Sequence, residues 1–272
     1  MRLRVATYNL HAGVDGWGRR SDVVDAAVGL GADVLFLQES WRDDHEDLAA
    51  EIAERTAAAA VFEPLAEGWR SAGGTGDHRW LPRRGLLGGN VGLALDSVRP
   101  LEPASTARWS RRPGATRGAW GIAIVSRLEV LDTEVVELRH LERDRCERKL
   151  LTCTLGHPDG PLVVAVLHGP HLPGSLRWYR DFTGVLDANL DAGRPTVLGG
   201  DLNCWGFLVR RMFPGWRQAA RGATWPSWRA HSQIDHLLVR GAVRVRGGGA
   251  VDLRGSDHRP LVAELELGGR AH

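Results

Sequence analysis

The chain predicts a mixed α/β fold, and three observations carry that reading. It opens strand, helix, strand: residues 3–8 form an apolar run, residues about 19–30 have helical spacing, and Asp33-Val-Leu-Phe-Leu-Gln38 is the next strand. Its middle third alternates short apolar runs with turn signals such as Pro158-Asp-Gly160, which implies antiparallel meanders. Its 272 residues hold no internal repeat, heptad run or low-complexity linker, so one domain spanning 1–272 is expected.

The elements follow in order. The first helix starts at Ser21 or Asp22, which can cap it, and stops at Gly31. An alanine-rich amphipathic segment, about 44–60, predicts a second helix. Residues 67–90 and 104–118 are rich in Gly, Arg and Pro with little periodicity, which predicts variable surface loops. Strands are expected near 91–95, 119–125, 130–138, 149–155 and 161–167. Leu176, Tyr179, Phe182, Val185, Leu186 and Leu190 mark a helix over 175–191, and strands near 196–198, 234–239 and 261–267 complete the count.

Composition narrows the class. Hydrophobic content of 43% and charged content of 25% suit a globular protein, and a net charge of +2 does not announce a nucleic-acid binder. Lys149 is the one lysine, so nearly all positive charge is guanidinium, a group suited to phosphate. Cys146, Cys153 and Cys204 form no Cys-x-x-Cys pair and no even-numbered framework, which argues against a disulfide scaffold or structural zinc. Met1 leads directly into the first strand with no room for a signal peptide, and no apolar run approaches the roughly 20 residues that span a bilayer. A cytoplasmic monomer without an integral membrane segment is expected.

Five islands place polar side chains at strand ends: Thr7-Tyr-Asn9, Gln38-Glu39, Asp201-Leu-Asn203, Asp235-His236 and Ser256-Asp-His258. Phosphoester hydrolysis needs a cation to neutralise phosphate, a base to prepare water and donors that meet developing charge. Mg²⁺ or Mn²⁺ bound by a few carboxylates suits the first need, and Glu39, Asp257 and Asp201 are candidates. Taken singly, each island is an ordinary strand end or Asx turn.

Taken in order, these islands resemble the endonuclease/exonuclease/phosphatase superfamily over Val5 to Leu267, with Ile124-Val-Ser-Arg127 and Val166-Leu-His168 as further matching motifs. The resemblance implies a four-layer α-β-β-α sandwich of two mixed, largely antiparallel sheets, deoxyribonuclease I-like, and a divalent-metal-dependent phosphoesterase. It implies Glu39, Asp257 and Asn9 at the metal, Asp201 as base and Asn203 holding both Asp201 and a phosphate oxygen. Asp235 would orient His258, and His168 would contact the phosphate or assist the leaving oxygen; Asn9, Asn203, His168 and His258 form the phosphate-binding set. Strand continuity favours His168 over His171, and His11 reads as a loop histidine. Two departures stand out: Trp120-Gly-Ile122 replaces an expected asparagine, and the tyrosine of abasic-site nucleases is missing, which points to the histidine-type branch.

The substrate is less legible. Residues 205–229 interleave Trp205, Arg210, Arg211, Trp216, Arg217, Arg221, Trp225, Trp228 and Arg229, either a single-stranded nucleic-acid surface or sandwich-edge packing with solvated arginines, the second being preferred. The loop near 69–84 carries Arg70, His78, Arg79, Trp80, Arg83 and Arg84 and is a candidate specificity element. Arg79, Arg127 and Trp225 are taken as substrate-binding candidates. The expected partner is a phosphoester, with nucleic acid one candidate. A nuclease-like phosphodiesterase leads; a monoesterase or lipid phosphodiesterase and a catalytically silent scaffold are the alternatives.

Overall fold

A computed structural model of the chain describes residues 2–15, 18–71, 93–95, 101–142, 144–171, 175–253 and 255–268. Two mixed sheets pack face to face. The first has seven strands: β1 (Arg2–Asn9), β2 (Val34–Arg42), β3 (Ala59–Ser71), β4 (Leu93–Leu95), β5 (Ala115–Ser126), β12 (Val243–Ala250) and β13 (Leu261–Leu267), in the order β12-β13-β1-β2-β5-β3-β4. The second has six: β6 (Val130–Glu137), β7 (Lys149–Leu155), β8 (Leu162–His168), β9 (Thr196–Asp201), β10 (Arg217–Gln218) and β11 (Asp235–Arg240), in the order β10-β11-β9-β8-β7-β6.

Among the described strands only the pairs β1/β2 and β8/β9 are parallel, and each is joined through a helix, as parallel neighbours require. Helices α1 (Val23–Gly29) and α2 (Leu48–Thr56) lie on the first sheet, and α4 (Ser175–Asn189) and α5 (Gly206–Met212) on the second; α3 (Pro103–Ser110) lies near β3 and β5. The expected deoxyribonuclease I-like sandwich is therefore the observed one.

The layers follow from side-chain pattern. Leu162-Val-Val-Ala-Val-Leu-His168 is buried throughout, because one face meets the first sheet and the other meets α4. Tyr179, Phe182 and Leu186 supply the α4 side of that outer core. The inter-sheet core surrounds Phe36 with aliphatic side chains, Val5, Val34, Ile124, Val164, Val166 and Leu237, all inaccessible to solvent. The open edge of the second sheet, β6, is mostly exposed and carries Asp132, Glu134 and Glu137, charges that discourage edge pairing.

Several expectations need correction. The second helix does not reach residue 60: Ala57 turns left-handed at φ 51° and the chain runs on as the 13-residue β3. Residues 104–118 are not a loop but α3 and the start of β5. Most of the 67–90 loop, including Arg79, lies outside the described residues, but its first part belongs to β3. Arg70 is no surface grip there. It is buried, stacked on Trp41, paired with Asp43 and Glu46, and donates to the Ala12 carbonyl at 3.1 Å.

Candidate active site

Strand register builds half of the site. In the second sheet His168 on β8 and Asp235 on β11 both sit opposite Asp201 on β9, so three functional groups form one row across adjacent strands. In the first sheet the ends of β1 and β2 lie side by side, with Asn9 opposite Gln38. A β-bulge after Leu37 then puts Glu39 at φ 51°, a conformation that costs energy in a non-glycine residue and re-aims its carboxylate. Asn203, at φ 46°, is strained in the same way in the turn after β9. Such strain persists where the surrounding structure fixes it, and here both residues belong to the same cluster.

Close approach of the sheets brings the halves together. Gly199 lies against the ring of Phe36 on β2, where any side chain would overlap it, so the Gly199-Gly200 pair lets β9 approach the opposite sheet. Asn9 then bridges the halves: its amide nitrogen donates to Glu39 Oε1 and to Asp201 Oδ2, both at 3.1 Å. Its amide oxygen accepts from the His11 backbone at 2.9 Å. Asn9 is thus a brace between carboxylates, with its oxygen already engaged.

Asp201 is the hub. Oδ1 accepts from the Asn203 backbone at 2.8 Å, while Oδ2 lies 3.6 Å from His168 Nε2 and 3.8 Å from His258 Nε2. The Asn203 side chain donates to the Gly169 carbonyl at 3.0 Å and reaches toward His168 Nε2 at 3.4 Å. His258 Nδ1 is 2.9 Å from Asp235 Oδ2, so a buried carboxylate orients its ring. Asp257, the neighbour of His258, faces away from that pair, with Oδ1 3.7 Å from His11 Nδ1.

Charge follows geometry. Burial, reinforced by Asp235, raises Asp201 from 3.8 to about 7 against the opposing pull of His258 and the Asn203 amide. Burial also works against a charge on His258, but Asp235, Asp257 and Asp201 outweigh it and hold that imidazole well above its ordinary value. His168 goes the other way: burial, then Arg148, His171 and His258, hold it well below 6.5. Two imidazoles on either side of one carboxylate are therefore shifted in opposite directions. Burial raises Asp257 too, yet His11, His258, Ser256 and the Trp225 side chain more than offset it, leaving this carboxylate below its ordinary range.

Three supports were not evident in the sequence. Trp120, standing where an asparagine was expected, donates from Nε1 to Glu39 Oε2 at 3.4 Å and lays its ring 5.1 Å from that of His168. The departure thus supplies a different polar contact rather than none. Arg148 is buried behind β8, binds Asp144 through Nε at 2.7 Å and Nη2 at 3.1 Å, and donates to the His168 carbonyl at 2.9 Å. His11, read as a loop histidine, is buried against Asp257. Only His11 left a local signal, its closeness to Asn9; the other two act across long sequence separations.

Of the remaining candidates, Trp225 is brought to the site through Asp257, whereas Arg127 is not. Arg127 bonds the Thr56 carbonyl at 3.2 Å and faces Asp33 at 3.9 Å, at the start of β2. Glu39 lies at the other end of that strand, about 20 Å away at the usual rise per residue. His236, one residue beyond Asp235, points the opposite way and meets the Cys204 carbonyl at 2.8 Å. Burial first among its causes lowers it to about 4, which suits a structural imidazole.

The residues present fit a divalent cation. Asn9 links Glu39 to Asp201, Asp235 sits opposite Asp201, and Asp257 adjoins His258; among the described residues no lysine or arginine pairs with any of these four carboxylates within 4 Å. Buried carboxylates without fixed counter-charges invite a metal ion. Asp201, Asp235 and His258 offer ligand atoms within 4.8 Å of one another, but His258 Nδ1 is already committed to Asp235 and its Nε2 faces Asp201. Both nitrogens of the His258 ring thus face carboxylates, while Asp235 Oδ1 is buried without a hydrogen-bond partner. Glu39 and Asp257 remain available to oxygen-loving cations.

The model of the Endonuclease/Exonuclease/phosphatase family matches residues 6–258. The chain belongs to that family. No functionally curated protein matches its sequence. Among solved structures it is similar to a family protein from Beutenbergia cavernae, at 22% identity and TM-score 0.65, over 98% of this chain and 72% of that one. It is also similar to a mannosyl-6-phosphatase from Bacteroides thetaiotaomicron, at 15% identity and TM-score 0.64, over 97% and 100% of the two chains. The catalytic domain of human Nocturnin, solved with a bound sulfate anion, is 16% identical with TM-score 0.61, over 98% and 94%. These likenesses fix the sandwich fold, and the family is one that acts on phosphoesters. No helix among the described residues is long and apolar enough to cross a membrane.

Proposed function

We propose that the protein is a Mg²⁺- or Mn²⁺-dependent phosphodiesterase of nuclease type. One observation carries this reading: Asp201, raised to about 7, stands within 4 Å of two imidazoles of opposite charge tendency and is braced through Asn9 to Glu39. A carboxylate poised near neutrality is suited to take a proton from water. Glu39 and Asp257 would hold the cation, which when bound would neutralise the phosphate and polarise its oxygens.

Within this arrangement each side chain has a duty. Asp201 accepts the proton of the attacking water, and the Asn203 backbone amide keeps its other oxygen fixed. His168, neutral, donates to a non-bridging phosphate oxygen together with the Asn203 amide. His258, oriented by Asp235, brings positive charge to the phosphate and gives its proton to the leaving oxygen as the ester bond opens. The opposite electrostatics of the two histidines favour His258 over His168 as the acid.

The test is a substrate panel with Mg²⁺ and Mn²⁺: bis-p-nitrophenyl phosphate, p-nitrophenyl phosphate, single- and double-stranded DNA, RNA and sphingomyelin. Diester hydrolysis that a strong chelator stops is expected. Preference for the monoester or sphingomyelin would move the assignment to those activities, and no turnover of any phosphoester would leave a silent scaffold.

A further inference from the structure

Two large apolar side chains stand in water beside this site. Trp205 is 57% exposed and Phe207 is 58% exposed, and their rings lie 6.1 Å apart at an interplanar angle of 26°. Trp205 follows Asn203 by two residues, a reach of about 7 Å. The hold of α5 on the fold comes from Val209 and Phe213, which are buried in the outer core, so neither exposed ring is needed to anchor the helix. Phe207, Arg210 and Arg211 stand at i, i+3 and i+4, on one exposed helix face. Among the described residues neither arginine has a carboxylate partner. The surface thus joins flat apolar rings and unpaired guanidinium groups next to the phosphate-handling residues.

We infer that this surface receives a single-stranded nucleic acid running outward from the scissile phosphate, with bases stacked on Trp205 and Phe207 and flanking phosphates on Arg210 and Arg211. The inference rests on the phosphodiesterase reading and adds the substrate class. Near-parallel rings suit the flat faces of unpaired bases, which a duplex keeps covered. Guanidinium forks match phosphate oxygens. A lipid surface is the weaker match, because interfacial binding scales with buried apolar area and, among the described residues, Trp205 and Phe207 are the large apolar side chains exposed here.

The test is anisotropy binding of fluorescein-labelled oligo(dT) and oligo(U) to the Asp201→Asn chain with Mg²⁺, between about 50 and 200 mM salt. The otherwise wild-type chain in EDTA serves as a second, uncleaving background. Trp205→Ala and Phe207→Ala should each weaken binding about fivefold or more. The double variant Arg210→Ala/Arg211→Ala should weaken it and reduce the log–log salt slope by about 1.4, two phosphate contacts' worth. Affinities and slopes unchanged by all these replacements would overturn the inference. So would Trp205- and Phe207-dependent capture of phosphatidylserine vesicles without oligonucleotide binding. Wild-type turnover of bis-p-nitrophenyl phosphate separates the levels: turnover with indifferent oligonucleotide binding removes the platform alone, and no turnover removes the reading beneath it as well.

Discussion

His258 places Nδ1 2.9 Å from Asp235 Oδ2, and both side chains are buried. The ring is therefore fixed by a residue 23 positions earlier in the chain, not by the adjacent Asp257, which faces His11. Asp235 sits opposite Asp201 in the β9/β11 ladder, so strand pairing places the carboxylate that orients the ring beside Asp201.

Replacing Asp235 by asparagine keeps the shape and removes the charge that holds the His258 proton. Turnover of a phosphodiester should fall roughly 10²–10⁴-fold, and the alkaline limb of the pH–rate profile should move to lower pH. A wild-type profile in Asp235→Asn would remove Asp235 from its positioning role.

Asp201 and His258 together make stability pH-dependent. A carboxyl whose folded value is about 7 and whose ordinary value is 3.8 makes the fold progressively less stable as pH rises from about 4 to about 7. The raised His258 acts in the same direction, its contribution being complete below about 6.5 and lost as pH climbs through the higher folded value. A cation held by Glu39 and Asp257 would add positive charge beside Asp201 and His258 and so disfavour their protons. Mg²⁺ should therefore raise the melting temperature more at pH 8 than at pH 5, as read by scanning calorimetry; equal shifts would contradict this.

The Arg148–Asp144 pair is buried on both sides, so Asp144→Asn leaves a charged guanidinium without its carboxylate. A loss of about 3–5 kcal/mol is expected from urea unfolding at pH 7. Burial opposes ionisation of Asp144, but Arg148 and the Cys146 contacts keep it below its ordinary value. The pair's contribution is accordingly present above about pH 4 and lost as pH falls through that lowered value.

Gly199→Ala should cost about 1–3 kcal/mol, because the new methyl meets the Phe36 ring across the two sheets. Urea unfolding reads that cost directly. Since the same contact sets the spacing of Glu39 and Asp201, phosphodiester turnover should fall with it.

Much of this was legible in the chain. Strands that end in polar residues declared themselves, because a buried strand such as Leu162–Leu167 has no local reason to finish on His168. The helix-to-strand change near Ala57 did not, since an alanine run continues through it and no glycine or proline marks the left-handed cap. β12 hid behind Gly247-Gly-Gly249, whose pairing with β13 includes a register shift. α3 buries only Trp109, too little to leave an apolar stripe. The Trp120 contacts to Glu39 and His168 depend on β5 lying beside β2 and on the two sheets facing each other, and no local pattern encodes that.

In the proposed mechanism four carboxylates divide the work, Glu39 and Asp257 for the cation and Asp201 and Asp235 for protons. Calorimetric titration of Mn²⁺ into Glu39→Gln and Asp201→Asn tests this division most directly, since both variants should lack turnover. Mn²⁺ binding should be lost in Glu39→Gln and retained in Asp201→Asn. Retention in Glu39→Gln with loss in Asp201→Asn would instead place the cation on the Asp201, Asp235 and His258 trio.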